Sequence, residues 1–221
     1  MTVAVGVLTH NVYEHKRLKQ FKRTLRSLAS QSPDAFYIVS NGSTDGTAEY
    51  VASLGGTVVD DPITSCGHGM NVTLSILAES GCDVSVFSND DIEWKPGSLA
   101  ALEAFLTDAP SDIIIASGLL EDDYPWNTVI ERVSYGGQVA LVRKTAPGGT
   151  WALRSHDWTL VRPVPESPGY DDVPTCERLR DKGYRVCQLD LATHIGKKVS
   201  TWGNASEQFG KPLDRKAWGI P

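Results

Sequence analysis

Three polar clusters each follow a short apolar run, and all three carry residue types that can do chemistry. Asn89-Asp90-Asp91 comes directly after the Val84 to Ser88 segment. Carboxylates at such a place hold Mg²⁺ or Mn²⁺ through oxygen and leave other positions for phosphate and water. Thr9-His10-Asn11 follows Val3 to Leu8, and Ser40-Asn41-Gly42 follows Phe36 to Val39. Acid doublets also stand at Asp60-Asp61, Asp122-Asp123 and Asp171-Asp172, so a doublet alone does not specify a metal site. A fourth segment, Gly67-His68-Gly69-Met70-Asn71, opens a stretch of helical periodicity. Free N–H groups and the dipole at such a helix start favour an anion.

The elements that must position these clusters alternate. Val3 to Leu8 is β-branched with few polar residues, as in a strand buried on both faces. Leu18, Phe21, Leu25 and Leu28 recur at helical spacing and predict a helix from about Lys16 to Ala29. Strands are predicted at Phe36 to Val39, Thr57 to Val59, Val84 to Phe87 and Ile113 to Ala116. Helices between them are predicted to end near Leu54 and before Gly81, with another marked by Leu99, Leu102, Phe105 and Leu106. This predicts an α/β fold of one domain, a mostly parallel sheet flanked by helices. In such sheets ligands sit beyond the carboxyl ends of the strands, so the polar clusters should converge on one crevice. The second half is less regular. A strand or hairpin is predicted around Gly136-Gly137, Pro147 to Pro168 reads as mostly loop, and a helix ending at Gly183 leads to a last strand, Arg185 to Leu189.

The chain has 221 residues, 27 acids and 21 basic side chains, for a net charge of −6. That balance argues against a generic basic coat for nucleic acid or anionic membrane. No run supplies the roughly 20 apolar residues of a membrane span, and the N-terminus lacks the basic region of a signal peptide, so a cytoplasmic protein is expected. Cys66, Cys82, Cys176 and Cys187 form no CxxC and no zinc spacing, and are expected to be reduced.

The order of motifs resembles the family 2 glycosyltransferases, which have the GT-A (Rossmann-like) fold. VGVLTHN is similar to the family's first strand, TLRSLASQ to the helix after it, and IVSNGSTDGTAEYV to its second strand, turn and helix. FSNDDIEWKPGSLAAL resembles its DXD region, GYDDVPTCERLRDKGYRV its acidic pair, helix and strand, and THIGKKVST its His-x-Gly segment. The resemblance implies a nucleotide-sugar-binding half at 1–118, an acceptor and catalytic half at 119–200, and a tail at 201–221. It implies that Asp91 and His194 bind Mn²⁺ or Mg²⁺ with the donor diphosphate. Asn89 and Asp90 would orient the donor, Thr9, Ser40 and Asn41 would face the base, and Gly67, His68 and Asn71 would line the nucleotide. Asp172 would be the catalytic base, with Asp171 next in line. The implied activity is a metal-dependent, inverting transfer of sugar from a nucleotide-sugar, UDP-sugar favoured, to an acceptor hydroxyl on a glycan, a protein or a hydroxylated DNA base. A nucleotidyltransferase and a non-catalytic nucleotide-sugar-binding module are the rival readings. The first lacks its glycine-rich loop after strand one.

The sequence departs from the family at three places. Ser40 stands where an acid is usual, Asn89 is the first DXD position, and no Gly-Gly-Phe-Asp precedes the acidic pair. Trp126, Trp151 and Trp158 lie in the acceptor half, with core packing the commoner role for each. Finally, Lys16, Arg17, Lys19, Lys22, Arg23 and Arg26 crowd a helix without acids. The ordinary role of such a stripe is a solvated face, and the sharper one is a track for DNA phosphates.

Overall fold

The computed structural model describes residues 1–59, 65–120, 127–166 and 172–195. Strand β1 (Val3–Thr9) is buried along its whole length. It lies between β2 (Ala35–Asn41) and β4 (Val84–Asn89), parallel to both. The register pairs Thr9 with Ser40 and Leu8 with Asn89, so the three polar clusters end side by side. β3 (Thr57–Val59), β5 (Ile92–Trp94), β6 (Ile113–Leu119), β7 (Val129–Tyr135), β8 (Gln138–Arg143), β9 (Thr150–Arg154) and β10 (Arg185–His194) complete one sheet. Its order is β3-β2-β1-β4-β9-β6-β10-β8-β7, with β5 paired to β10. β5, β8 and β9 run against the rest, so the sheet is mixed while most of its strands share one direction.

β9 is the main departure from the sequence reading, which made this stretch a loop. It inserts antiparallel between β4 and β6, pairing Ser88 with Thr150 and Ala116 with Ala152. All five of its residues are buried. Its apolar run is short and bounded by Gly148-Gly149 and a polar Ser-His-Asp turn, so length and flanking residues hid it; the sheet's unpaired backbone groups demand it.

Helices cover both faces. α1 (Leu18–Ala29), α2 (Thr47–Ser53) and α4 (Ser98–Asp108) supply Phe21, Leu28, Val51, Leu102 and Phe105 to one core. α3 (Cys66–Glu79), α5 (Trp158–Val161) and α6 (Asp172–Asp181) supply Leu74, Leu77, Trp158, Val161 and Leu179 to the other. β1 feeds both by alternation, Val5 and Val7 into the first and Ala4 and Leu8 into the second. Gly6 allows α3 to come close, since a Cβ there would lie 2.6 Å from Thr73 Cγ2. Trp151 and Trp158 are core residues, their indole N–H groups donating to Ala146 O and Ser75 Oγ. No disulfide links the four cysteines. Burial pushes the Cys176 and Cys187 thiols up to about 12, so both stay protonated. No helix among the described residues is long and apolar enough to cross a membrane.

Candidate active site

Asp90 is the pivot of the site. It lies in the tight turn between β4 and β5 and is only 3% exposed. Thr9, at the end of β1, donates its hydroxyl to Asp90 Oδ2 at 2.7 Å, and Arg17 Nη1 donates to Oδ1 at 3.0 Å. Burial raises the Asp90 pKa to about 6, against the opposing pull of Arg17 and the hydrogen bonds from Thr9 and His10. Both carboxylate oxygens are engaged, so Asp90 fixes the turn. Thr24, on the buried face of α1, grips the same turn: its hydroxyl donates to Asp90 O at 2.9 Å and accepts Ile92 N–H at 3.1 Å.

The turn leaves Asp91 facing β10. β5 pairs antiparallel with β10, setting Ile92 opposite His194, and Ile195 N–H donates to Asp91 O at 2.8 Å. The side chains meet with Asp91 Oδ1 4.0 Å from His194 Nδ1. That is too long for a hydrogen bond, and among the described residues neither side chain has another partner. One oxygen donor on the β4–β5 turn and one nitrogen donor at the end of β10 suit a hard or borderline divalent cation. Among the described residues no third His, Cys, Asp or Glu joins them, which leaves other coordination positions for a ligand and water. Asn89 and His194 both lie beside Gly149. A Cβ on Gly149 would lie 3.5 Å from Asn89 Nδ2 and 3.7 Å from His194 Cε1.

Asp172 opens α6. Its Oδ2 accepts Gly148 N–H at 2.9 Å and its Oδ1 accepts Val173 N–H at 2.9 Å. The residue keeps some surface open, yet the protein packed around its carboxyl raises the pKa, with the Gly148, Val173 and Asp172 N–H groups opposing. A carboxylate held in this way is suited to accept a proton. Gly148 and Gly149 are adjacent, so one turn lies beside Asp172 on one side and Asn89 and His194 on the other. Asp171 lies outside the described residues, as do Trp126 and the tail.

The remaining sequence candidates have their own places. Ser40 is fully buried and donates to Ser43 Oγ at 2.8 Å. Asn41 is 4% exposed, and its Nδ2 donates to Ser65 O at 3.0 Å while its Oδ1 has no partner among the described residues. Gly67, His68 and Asn71 lie along one side of α3 against residues 164–166. Of the basic stripe, Arg17 is held by Asp90, Arg23 by Glu93, and Lys22 Nζ sits 5.5 Å from the centre of the Tyr50 ring. The helix starts at Leu18, which leaves Lys16 and Arg17 before it. Sequence reasoning missed Arg17 and Thr24 as supports of the acidic turn, and Gly148-Gly149 as its neighbour. The sequence signal for the last was the Pro-Gly-Gly turn itself.

The model of one sequence family, Glycosyl transferase family 2, matches residues 5–148. The chain belongs to glycosyl transferase family 2. The family match runs from β1 through the glycine turn, and Asp172 and His194 lie beyond it. Among curated proteins no relative matches the chain. Solved structures share the fold of this family 2 domain at low identity. Mannosyltransferase PcManGT from Pyrobaculum calidifontis, in complex with GDP-Man and Mn²⁺, is 19% identical, with a TM-score of 0.61 over 93% of this chain and 61% of its own. Glucosyl-3-phosphoglycerate synthase from Mycobacterium tuberculosis, with Mn²⁺, UDP and glucosyl-3-phosphoglycerate, is 17% identical, with a TM-score of 0.61 over 100% of this chain and 81% of its own. GalNAc-T7 with UDP, GalNAc and Mn²⁺ is 12% identical, with a TM-score of 0.61 over 89% and 44%. The family 2 domain thus spans about three-fifths of the mannosyltransferase chain and under half of GalNAc-T7.

Proposed function

We propose that this family 2 domain transfers a sugar from a nucleotide-sugar to an acceptor hydroxyl, with inversion at the anomeric carbon. The observation that carries the reading is the Gly148-Gly149 turn, which bonds Asp172 on one side and borders Asn89 and His194 on the other. That shared turn supports a base and a cation-binding pair serving one reaction. Asp172 takes the proton of the acceptor hydroxyl as its oxygen bonds to the anomeric carbon, and the bond from that carbon to the diphosphate breaks. One base and no covalent intermediate suffice for a single displacement. Asp91 and His194 would hold Mn²⁺ or Mg²⁺, and the bound ion would supply charge stabilisation for the departing diphosphate. Thr9 and Asp90 fix the floor of the donor crevice. The unpartnered Asn41 Oδ1 offers an acceptor for an N–H of the base.

Family membership favours this over a nucleotidyltransferase. Joint presence of Asp91, His194 and Asp172 favours it over a non-catalytic module. The comparisons give DNA no support as the acceptor, and the basic stripe lends little, because Arg17 and Arg23 are committed to Asp90 and Glu93. The test is calorimetric and thermal-shift titration of UDP, GDP and dTDP with and without Mn²⁺. Metal-dependent stabilisation by one of them is expected, about 2.7 kcal/mol at 100 times its dissociation constant. No metal-dependent binding of any of the three would overturn the reading.

A further inference from the structure

We infer that Asn71 is a positioning residue for Asp172, acting through residues 160–166; the inference rests on Asp172 being the base. One side of α3 forms a template for this segment. Asn71 Nδ2 donates to Val164 O at 2.8 Å, and Asn71 Oδ1 accepts Val164 N–H at 2.8 Å. A side-chain amide thus occupies both backbone groups of one residue, as a neighbouring strand would. One turn earlier, His68 Nδ1 lies 3.2 Å from Glu166 Oε1. Gly67 gives the room, since a Cβ there would lie 2.0 Å from Pro165 O.

The opposite side of the segment is held from α6. Arg178 Nη1 donates to Leu160 O at 3.2 Å, and Nη2 donates to Val161 O and to Pro163 O, the latter at 3.0 Å. Five backbone groups from 160 to 164 are therefore tied to two side chains, one on each helix. Ser65, the N-cap of α3, has its carbonyl bound to Asn41 at the end of β2. α6 starts at Asp172. The segment is thus a physical link between the donor-side helix and the helix that carries the base. Asn71 and Arg178 are its two grips. Asn71 has both amide atoms committed to Val164, which supports a positioning role in place of direct nucleotide contact.

The test uses the full chain and two readouts that need no acceptor. Amide hydrogen exchange is followed at Val164, at Gly148, whose N–H reports the Asp172 carboxylate, and at Val5 in β1 as a control. Mn²⁺-dependent affinity for UDP and GDP is measured alongside. In Asn71→Leu, exchange at Val164 and Gly148 should rise at least tenfold, with Val5 unchanged and nucleotide affinity within about twofold of wild type. Arg178→Gln should move Gly148 in the same direction. If Asn71→Leu does not fold, Asn71→Ser takes its place with the same expectations. Unchanged Gly148 exchange in both Asn71 and Arg178 variants would overturn the inference, and so would a tenfold loss of nucleotide affinity in the Asn71 variant. Failure of the wild type to bind either nucleotide would count against the proposed function alone, because the exchange readouts do not depend on it.

Discussion

The Asp172 carboxylate accepts the backbone N–H of Gly148 at 2.9 Å, and a Cβ on Gly148 would lie 3.1 Å from Asp172 Cβ. The turn that reaches toward His194 is therefore also the rest for the proposed base. Gly148→Ala keeps the N–H but forces the two residues apart by a few tenths of an ångström. The expected result is a fall of about tenfold or more in nucleotide release from the donor sugar, since small misplacements of reacting groups carry large rate costs. Mn²⁺-dependent nucleotide affinity should stay within about twofold, and titration calorimetry checks that half of the expectation.

Asp172 itself gives a prediction with a sign. Its folded pKa is raised, chiefly by burial. A raised carboxyl pKa contributes stability that is present below the unfolded value, about 3.9, and is lost as pH rises through the folded value. Asp172→Asn should therefore match or exceed wild-type stability at pH 7, and the advantage should vanish near pH 4. Activity runs the opposite way in the wild type, rising with pH as the carboxyl ionises. The variant should lose about 10² to 10⁴ in transfer while retaining donor binding. Urea unfolding at the two pH values checks the first statement; wild-type transfer rates in Asp172→Asn would move the base to Asp171.

Asp91 and His194 make a metal prediction. Asp91→Asn and His194→Gln should each weaken Mn²⁺-dependent nucleotide binding at least tenfold and leave metal-free binding unchanged. Chelation with EDTA should abolish the thermal shift that nucleotide gives the wild type. Equal shifts with and without EDTA would remove the pair from that role.

Much of this arrangement was legible in the sequence because local pattern and fold agreed. The β-branched run of β1 and the 3.6-residue spacing of α1 and α4 needed no tertiary information, and with strand–helix alternation they placed Thr9, Ser40 and Asn89 at one end of the sheet. What was not legible depends on contacts between distant segments. Arg17 looked like one more exposed cation, and nothing local says that it reaches Asp90 across 73 positions. Thr24 looked like an ordinary helix residue, although its hydroxyl closes the acidic turn. Asn71 and Gly67 sat in a plausible anion-binding helix start, and only the packing of residues 164–166 on α3 shows their engagement. β9 was lost because strand recognition weighs length and flanks, whereas its place is set by the gap between β4 and β6.

The Arg17–Asp90 pair yields the sharpest stability prediction. Asp90 is nearly inaccessible, and its pKa of about 6 reflects a strong burial penalty only partly offset by the Arg17 charge. Arg17 is itself half-buried, with Nη2 donating to His10 O at 3.0 Å. Arg17→Met retains the bulk of the side chain and removes the charge. At pH 7 the carboxylate then stays buried without its cation, which costs about 3 kcal/mol or more. The variant can escape this by protonating Asp90, so its Asp90 pKa must rise above the wild-type value. The sign follows: the deficit relative to wild type is largest at pH 7 to 8 and shrinks as pH falls below 6. Chemical denaturation at pH 5 and pH 7.5 checks this, and a deficit that is constant across the range would mean that Arg17 acts through packing and its bond to His10 alone. Asp90→Asn in the Arg17→Met background should recover most of the loss at pH 7.5, because an amide needs no counter-charge and still accepts the Thr9 hydroxyl.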